Sequence, residues 1–393
     1  MSSGFILILK VSNYPTKNLL EVKNMKKIWK RLAATTLVCC MMMAMFGCGS
    51  NGTSSTGSVT PSAGTQTDGN SSSPRVLKLG CTVSSAEYDK QLTSTVRMIK
   101  YYVDEIPKRT NGEIEIAIYL DGQLASGTSD IINATLSGAI DMGNIASGNW
   151  NEYTDACIPM GVPFAFANAD VVNYVMDSEF GQKINQQIQK DVGVVPLSWI
   201  DIGFRHVTNN KREICTPDDV KGLKIRTMSD PLQLLAWSSL GASCSSIAYS
   251  ETFTALQQGV VDGQENPATN IYSARFYEVQ KYMTTTGHTY TGSLQFMSQD
   301  TWDSLTEEQQ QVFREVAREA ELLGRETTAE ADEEFISIIE ENGVQIHRLT
   351  PEETKQFQAA MTETYTEAEK MIGAERWAEF QAIIAEAEAA VGF

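Results

Sequence analysis

The sequence predicts an α/β fold of two domains with a hinged cleft between them and a long helix spanning both. Three observations predict it. Over residues 75–145, apolar strand-like runs alternate with helical patterns, at spacings that suit parallel strands joined by crossover helices. The chain then crosses between domains twice, near Gly203 and again with the strands before Met297, as a hinged pair requires. After Thr306 an apolar stripe continues for about 35 residues, roughly 50 Å of helix at 1.5 Å per residue, enough to bridge both domains. Residues 1–47 read as an upstream extension and signal segment, and residues 48–74 as a linker. Residues 75–202 with about 291–330 make domain I, and residues 203–290 with about 331–393 make domain II.

Each element has a local cause. Residues 75–83, RVLKLGCTV, are a first apolar strand. Leu92, Val96, Ile99, Tyr102, Val103 and Ile106 recur at three- and four-residue steps and predict one helix over about 87–109. Asn111 and Gly112 stop it, residues 113–120 alternate as a second strand, and Ile131, Ile132 and Leu136 mark a helix that Gly138 ends. Residues 139–145 are the third strand. Pro159 and Pro163 break the apolar run 158–166 into an irregular buried crossing. A helix over 180–190 and a strand over 192–200 follow, and 203–210 continues extended into the second domain.

There, residues 223–226 form a short strand that delivers Arg226 to its C-terminal end. Ser229 or Asp230 caps the next helix, with Pro231 at its first position. Val260 and Val261 precede a turn presenting Gln264, Glu265 and Asn266. Residues 274–279 read as helix, and 282–286 and 290–297 as strands. Thr306 and Gln309 are the ends of a capping box opening the long helix, which either runs unbroken to Asn342 and Gly343 or divides at Gly324. A strand over 344–347 and a second capping box, from Thr350 to Glu353, lead into the final helices.

The leader is not fold. From Met25 a basic start, an apolar run over 32–46 and then Gly47 and Cys48 form a secretory signal too short to span a bilayer. It resembles a bacterial lipoprotein signal, with Cys48 as the lipidated residue; an uncleaved anchor or ordinary signal is the other reading. Residues 49–73 are almost wholly Ser, Thr, Gly and Asn, a tether that holds a soluble domain near a membrane.

The first 47 residues hold seven Lys or Arg and one Glu, so the remaining chain carries 24 positive against 48 negative side chains, about −24. Such a body repels nucleic acid and lacks a basic face for anionic lipid, so an anion site must be a local exception. Cys81, Cys157, Cys215 and Cys244 are widely spaced; free buried thiols or an unassigned pairing both fit.

Catalytic patterns are missing. His206, His288 and His347 have no metal-binding spacing, and the chain has no GxSxG elbow, Walker loop or GxGxxG after the first strand. Asp262 and Glu265 are placed by the sequence in an exposed, solvated turn. Arginine is the residue to weigh, because its planar fork stays charged and matches a carboxylate with two parallel hydrogen bonds. Arg226 and Arg205 fit either a ligand carboxylate or an internal salt bridge; Asn266 fits a ligand or a turn.

GFRHVTNNKREICTPDDVKGLKIRTM, AYSETFTALQQGVVDGQENP and FYEVQKY resemble the core signature of the DctP-type solute-binding proteins of TRAP transporters. GEIEIAIYLDGQLASGTSDIINATLSGAIDMGN and VPFAFAN match the same family's first-domain pattern, so the resemblance covers about residues 75–345. It implies a two-domain fold of periplasmic-binding-protein type. It also implies an extracytoplasmic receptor that passes a small organic acid, a dicarboxylate or a sugar acid, to a membrane carrier of one small and one large subunit.

By that resemblance the carboxylate-binding arginine falls on Arg226, the supporting arginine on Arg205 and the asparagine on Asn266. Ala146 stands where sialic-acid binders carry glutamate, which argues against sialic acid. Glu87, Tyr88, Ser147, Asn149 and Trp150 are left for the first-domain wall, and Tyr249 joins the candidates from the second. Trp150 either stacks on a sugar face or fills core. The chain is expected to be a monomer without catalytic residues, cofactor or metal. It is expected to meet the membrane only through its lipid anchor. The alternative function is a ligand-sensing lipoprotein that feeds a membrane signalling protein.

Overall fold

Parallel strands need crossover helices, and the first third of the chain supplies them in turn. Strand β1 (Arg75–Gly80) lies between β2 (Ile114–Tyr119) and β3 (Met142–Ala146), parallel to both. Helices α1 (Ser85–Lys90), α2 (Ser94–Arg109) and α3 (Thr128–Leu136) make the connections. The single helix predicted over 87–109 is therefore two. Thr93 restarts the chain as an N-cap, its Oγ1 accepting from the Val96 amide at 3.2 Å. The computed structural model describes residues 73–90, 93–125 and 127–392, all within one compact unit, Asn70–Phe393. The candidate signal, Cys48 and the tether lie outside the described residues.

Helices α4 (Ala169–Asp177) and α5 (Glu179–Val192) follow, and then a single strand, β4 (Val194–Asn209), replaces the two extended segments expected there. Its first part pairs with β9 (Tyr290–Ser298), and its last part with β7 (Gly263–Pro267) and β8 (Tyr282–Thr285). The register shifts between Pro196 and Ser198 and again between Asp201 and Gly203. Proline cannot donate to the ladder, and Gly203 takes a φ of +113° that a side chain would resist. The crossing between halves is thus continuous β structure bent at bulges.

In the second half β5 (Lys224–Thr227) lies between β7 and β6 (Ser243–Ser246), parallel to both. Helices α6 (Pro231–Ser239) and α7 (Tyr249–Gln257) cross over between them, and α8 (Ala268–Ser273) follows β7. Asp230 is the cap of α6 and Pro231 its first residue, as the sequence predicts. The strand order is β2-β1-β3-β9-β4-β7-β5-β6, with β8 pairing both β4 and β10 (Gln345–Arg348).

After the short α9 (Gln299–Asp303), the helix α10 (Glu307–Glu341) runs 35 residues without a break from its Thr306 capping box. Gly324 does not divide it. A Cβ there would stand 2.6 Å from Met98 Sδ, so the glycine lets α10 lie close against α2. Phe313, Val316 and Ala320 pack with Met98 and Ile99, and Phe335, Ile336 and Ile339 pack with Phe276 and Met283, so one helix serves the cores of both halves. Helix α11 (Pro351–Ala360) stays on the second half through Phe357. Helix α12 (Thr362–Ile372) lies between the halves, against α6 and the turn 155–161, and α13 (Ala374–Val391) packs on the first half, with Phe380 5.6 Å from the Phe180 ring. The sequence allots residues 331–393 to the second domain; local periodicity carries no signal for the placement of α13.

Among the described residues no helix is long and apolar enough to cross a membrane. The four described cysteines are free; Cys81 and Cys157 are buried, and Cys215 and Cys244 half-buried. Burial pushes the Cys81 thiol up to about 11.

Gly263 opens β7 where the strand lies closest to β4. A Cβ there would fall 2.2 Å from the Thr208 carbonyl oxygen and 2.8 Å from Asn209 Cβ. Gly263→Ala is expected to cost about 2 kcal/mol or more by forcing the two strands apart. Urea unfolding measures it, and an unchanged midpoint would show that β7 is free to shift.

Candidate functional site

Three neighbouring strands of the second half carry the arginines and the asparagine singled out by sequence. Arg226 on β5 is level with Gln264 on β7, and β7 in turn pairs antiparallel with β4, placing Pro267 opposite Arg205 and Asn266 opposite His206. Arg226, Asn266 and Arg205 all line one cavity of about 110 Å³. The facing wall comes from the first half: Glu87, Asn144, Ala146 and Asn149. Thr291 and Ser293 of β9 close the back. The cleft therefore lies where strand ends of the two halves meet, the position open α/β sheets give to ligands.

Arg205 is neutralised inside the protein. Its Nε and Nη2 donate to the Glu265 carboxylate, the latter at 2.9 Å, and Nη2 also reaches the Glu265 carbonyl. Nη1 donates to Thr291 Oγ1 at 3.1 Å. Glu265 further contacts His288 Nε2 at 3.2 Å, and His288 Nδ1 lies 2.7 Å from Thr286 Oγ1. Burial works against the Glu265 charge, but Arg205 and His288 outweigh it and hold the carboxyl below its ordinary value. Burial pushes His288 down while Glu265 acts the other way, and its ring bridges Glu265 and Thr286. The sequence places Gln264, Glu265 and Asn266 in an exposed turn. They form a fully buried strand instead, because Arg205 supplies the charge that lets a carboxylate go inside.

Arg226 is treated differently. Its Nε donates to the Ile247 carbonyl at 2.8 Å, and among the described residues no carboxylate comes within ion-pairing distance. Among the described residues, Nη1 and Nη2 take no protein partner. The side chain is 3% exposed, and burial pushes its guanidinium down to about 10. A buried cation is costly; Glu265 offsets part of that cost from a distance and Arg205 adds to it, so the geometry leaves an electrostatic demand at the cavity wall. Beside it Asn266 Nδ2 donates to Gln264 Oε1, and Asn266 Oδ1 accepts from Asn270 Nδ2 at 3.5 Å. Tyr249 donates its hydroxyl to the Asn270 carbonyl at 3.4 Å; burial, then the nearby Glu87 carboxylate, pushes it up.

Of the sequence-predicted residues, Arg226, Arg205, Asn266, Glu87 and Tyr249 come together on the cavity. Ser147 and Trp150 do not line it. Trp150 is 0% exposed and packs edge-on against Phe296, ring centroids 5.0 Å apart, which fixes the core alternative. Ser147 starts the buried 3₁₀ turn Ser147–Glu152, and its neighbours Ala146 and Asn149 reach the wall in its place. Asn144, Thr291, Ser293 and Asn270 escaped notice. Their only sequence signal is a polar side chain within an otherwise apolar strand or short helix. Away from the cavity, Glu213, Cys215 and His347 each bring a potential ligand atom within 4.8 Å of the others. His347 contacts Glu213 and Glu353 at 3.5 and 3.3 Å.

Residues 85–371 match the model of the bacterial extracellular solute-binding protein family 7, DctP. A solute-binding protein of Verminephrobacter eiseniae is 33% identical over 275 residues, 70% of this chain and 81% of its own length. The TRAP periplasmic solute-binding protein of Sulfurospirillum deleyianum, solved with bound succinate, superposes with a TM-score of 0.74 at 29% identity, covering 79% of this chain and 100% of that one. A second such protein, from a Polaromonas species and bound to D-erythronate, gives a TM-score of 0.73 at 31% identity, covering 78% and 98%.

Removing the Glu265 charge leaves Arg205 buried and unpaired, so Glu265→Gln is expected to destabilise the protein by about 3–5 kcal/mol. The pH dependence has a defined sign. Because the folded Glu265 carboxyl sits below 4.5, its contribution is complete above that pH and is lost as pH falls through the lower folded value. Urea unfolding of wild type and variant across acid pH tests both statements: the stability gap should shrink on acidification, and a constant gap would refute the assignment.

Proposed function

Since the chain belongs to the bacterial extracellular solute-binding proteins of family 7, we propose that its cavity captures a small organic acid by the carboxylate, and that Arg226 is the group that holds it. The observation that carries this reading is the Arg226 side chain, 3% exposed at the cavity wall, whose Nη donors have no protein partner among the described residues. A carboxylate accepts two parallel N–H bonds from such a fork and supplies the missing negative charge. Arg205 contributes from behind, its own charge already cancelled by Glu265, and Asn266 offers amide contacts at the same end. The homologous proteins from Sulfurospirillum and Polaromonas hold succinate and D-erythronate, two acids that share a carboxylate. The receptor would then hand its ligand to the membrane subunits of a TRAP transporter while Cys48, once lipidated, keeps it at the membrane surface. Shielding from water strengthens the ion pair, so occupancy and closure of the two halves support each other.

Arg226→Met replaces the guanidinium by an apolar chain of similar reach. Calorimetry with D-erythronate and succinate is expected to show affinity for whichever acid binds the wild type falling by about a hundredfold or more. The unliganded variant should melt no lower than wild type, since a desolvated charge has been removed. Undiminished affinity would refute the carboxylate role, and a lower melting temperature would mark Arg226 as structural.

A further inference from the structure

Two guanidinium groups line the cavity, and Glu265 cancels the one on Arg205. The second-half wall therefore carries a single net positive charge, at Arg226. The facing wall offers no cation among the described residues; its one carboxylate is Glu87. Glu87 turns Oε2 to the Ser84 amide and hydroxyl, at 2.9 and 2.8 Å, and among the described residues no protein donor reaches Oε1. Asn144, 7% exposed, accepts the Ser293 hydroxyl on Oδ1 at 2.7 Å, while its buried Nδ2 has no partner among the described residues. Around this acceptor and this donor stand the hydroxyls of Thr82, Thr95 and Thr128.

Resting on the reading that Arg226 holds a carboxylate, we infer that the ligand is a polyhydroxylated monocarboxylate of the sugar-acid type, and that Glu87 and Asn144 select it by bonding its hydroxyls and turning away a second carboxylate. A hydroxyl both donates and accepts, so one group, or two neighbouring ones, satisfies Glu87 and Asn144 together. A second carboxylate would be desolvated without a counter-ion and would face a like charge. A bare alkyl chain would leave the Asn144 amide buried and unsatisfied. An ammonium group would suit Glu87 but would set the Asn144 N–H against a cation.

D-erythronate and succinate have the same carbon count and differ in the groups at issue, so they make a matched pair of probes. Thermal shift and calorimetry of the purified protein with these two, D-gluconate, butyrate and L-homoserine provide the test. One of the hydroxy acids is expected to bind about tenfold or more tighter than succinate, butyrate and homoserine. Glu87→Gln should weaken the hydroxy acid and strengthen succinate, narrowing that ratio. Succinate or homoserine binding as tightly as the hydroxy acids would overturn the inference while leaving the carboxylate reading in place, provided Arg226→Met abolishes that binding. Undiminished binding by Arg226→Met would instead overturn the reading beneath it, and silence of every acid in the panel would overturn both. An unchanged ratio in Glu87→Gln would remove Glu87 from the selection.

Discussion

The buried ion pair between Arg205 and Glu265 is the interaction on which the cleft depends. Taken alone, either charge would be prohibitive at that depth, since both side chains are at most 2% exposed. Together they cancel, and the fork geometry locks β4 to β7 by side chain as well as by ladder. His288 extends the lock from Glu265 to Thr286, and its ring stands edge-on to Trp237 at 5.0 Å, tying the polar cluster into the apolar core behind it. The consequence for the cavity is one of charge. With Arg205 silenced, Arg226 is the one cation among the described residues of the wall that no carboxylate pairs.

The same strands join the two halves. β4 contributes to both parts of the sheet, β9 pairs with β4 and β3, and α10 packs into both cores. The ladder joining the halves breaks at two bulges, between Pro196 and Ser198 and between Asp201 and Gly203, where a bend disrupts the fewest strand bonds. The second bulge is well supported: the hydroxyls of Ser94 and Thr328 both donate to the Asp201 carbonyl, at 2.6 and 2.9 Å, from α2 and α10. Burial lifts the Asp201 carboxyl to about 6, which marks the crossing as a dry, closely packed region and not a loose linker.

Features decided within a few residues were legible in the sequence. The capping boxes at Thr306 and Thr350 and the Asp230 cap with Pro231 all depend on neighbours along the chain, whereas the continuity of α10 through Gly324 goes with its close approach to Met98 on α2. The arginines were legible as residue types but not as roles, because the difference between Arg205 and Arg226 is the position of one carboxylate on another strand. That carboxylate was misplaced for the same reason. GQENP has the composition of a turn, and only its pairing with β4 and β5 makes it an inner strand. Trp150 and the last helix follow the pattern: what they bury against, Phe296 in one case and Phe180 in the other, is remote in sequence.

An acidic body repels anions at long range. Repulsion between exposed charges is screened within about 8–10 Å at physiological salt, whereas a desolvated pair inside a cavity is screened far less. The two effects therefore act at different stages. The surface charge slows the approach of anions, a dianion more than a monoanion, and selection among acids of equal charge falls to contacts made after entry. At that stage the cavity contains one positive charge to neutralise and, opposite it, one carboxylate and one amide to satisfy. A ligand that neutralises Arg226 but leaves Asn144 bare recovers only part of the desolvation it causes, and one that brings a second charge adds to it. Affinity in such a site is governed by whether every buried polar group on both walls finds its complement, more than by the strength of the carboxylate contact.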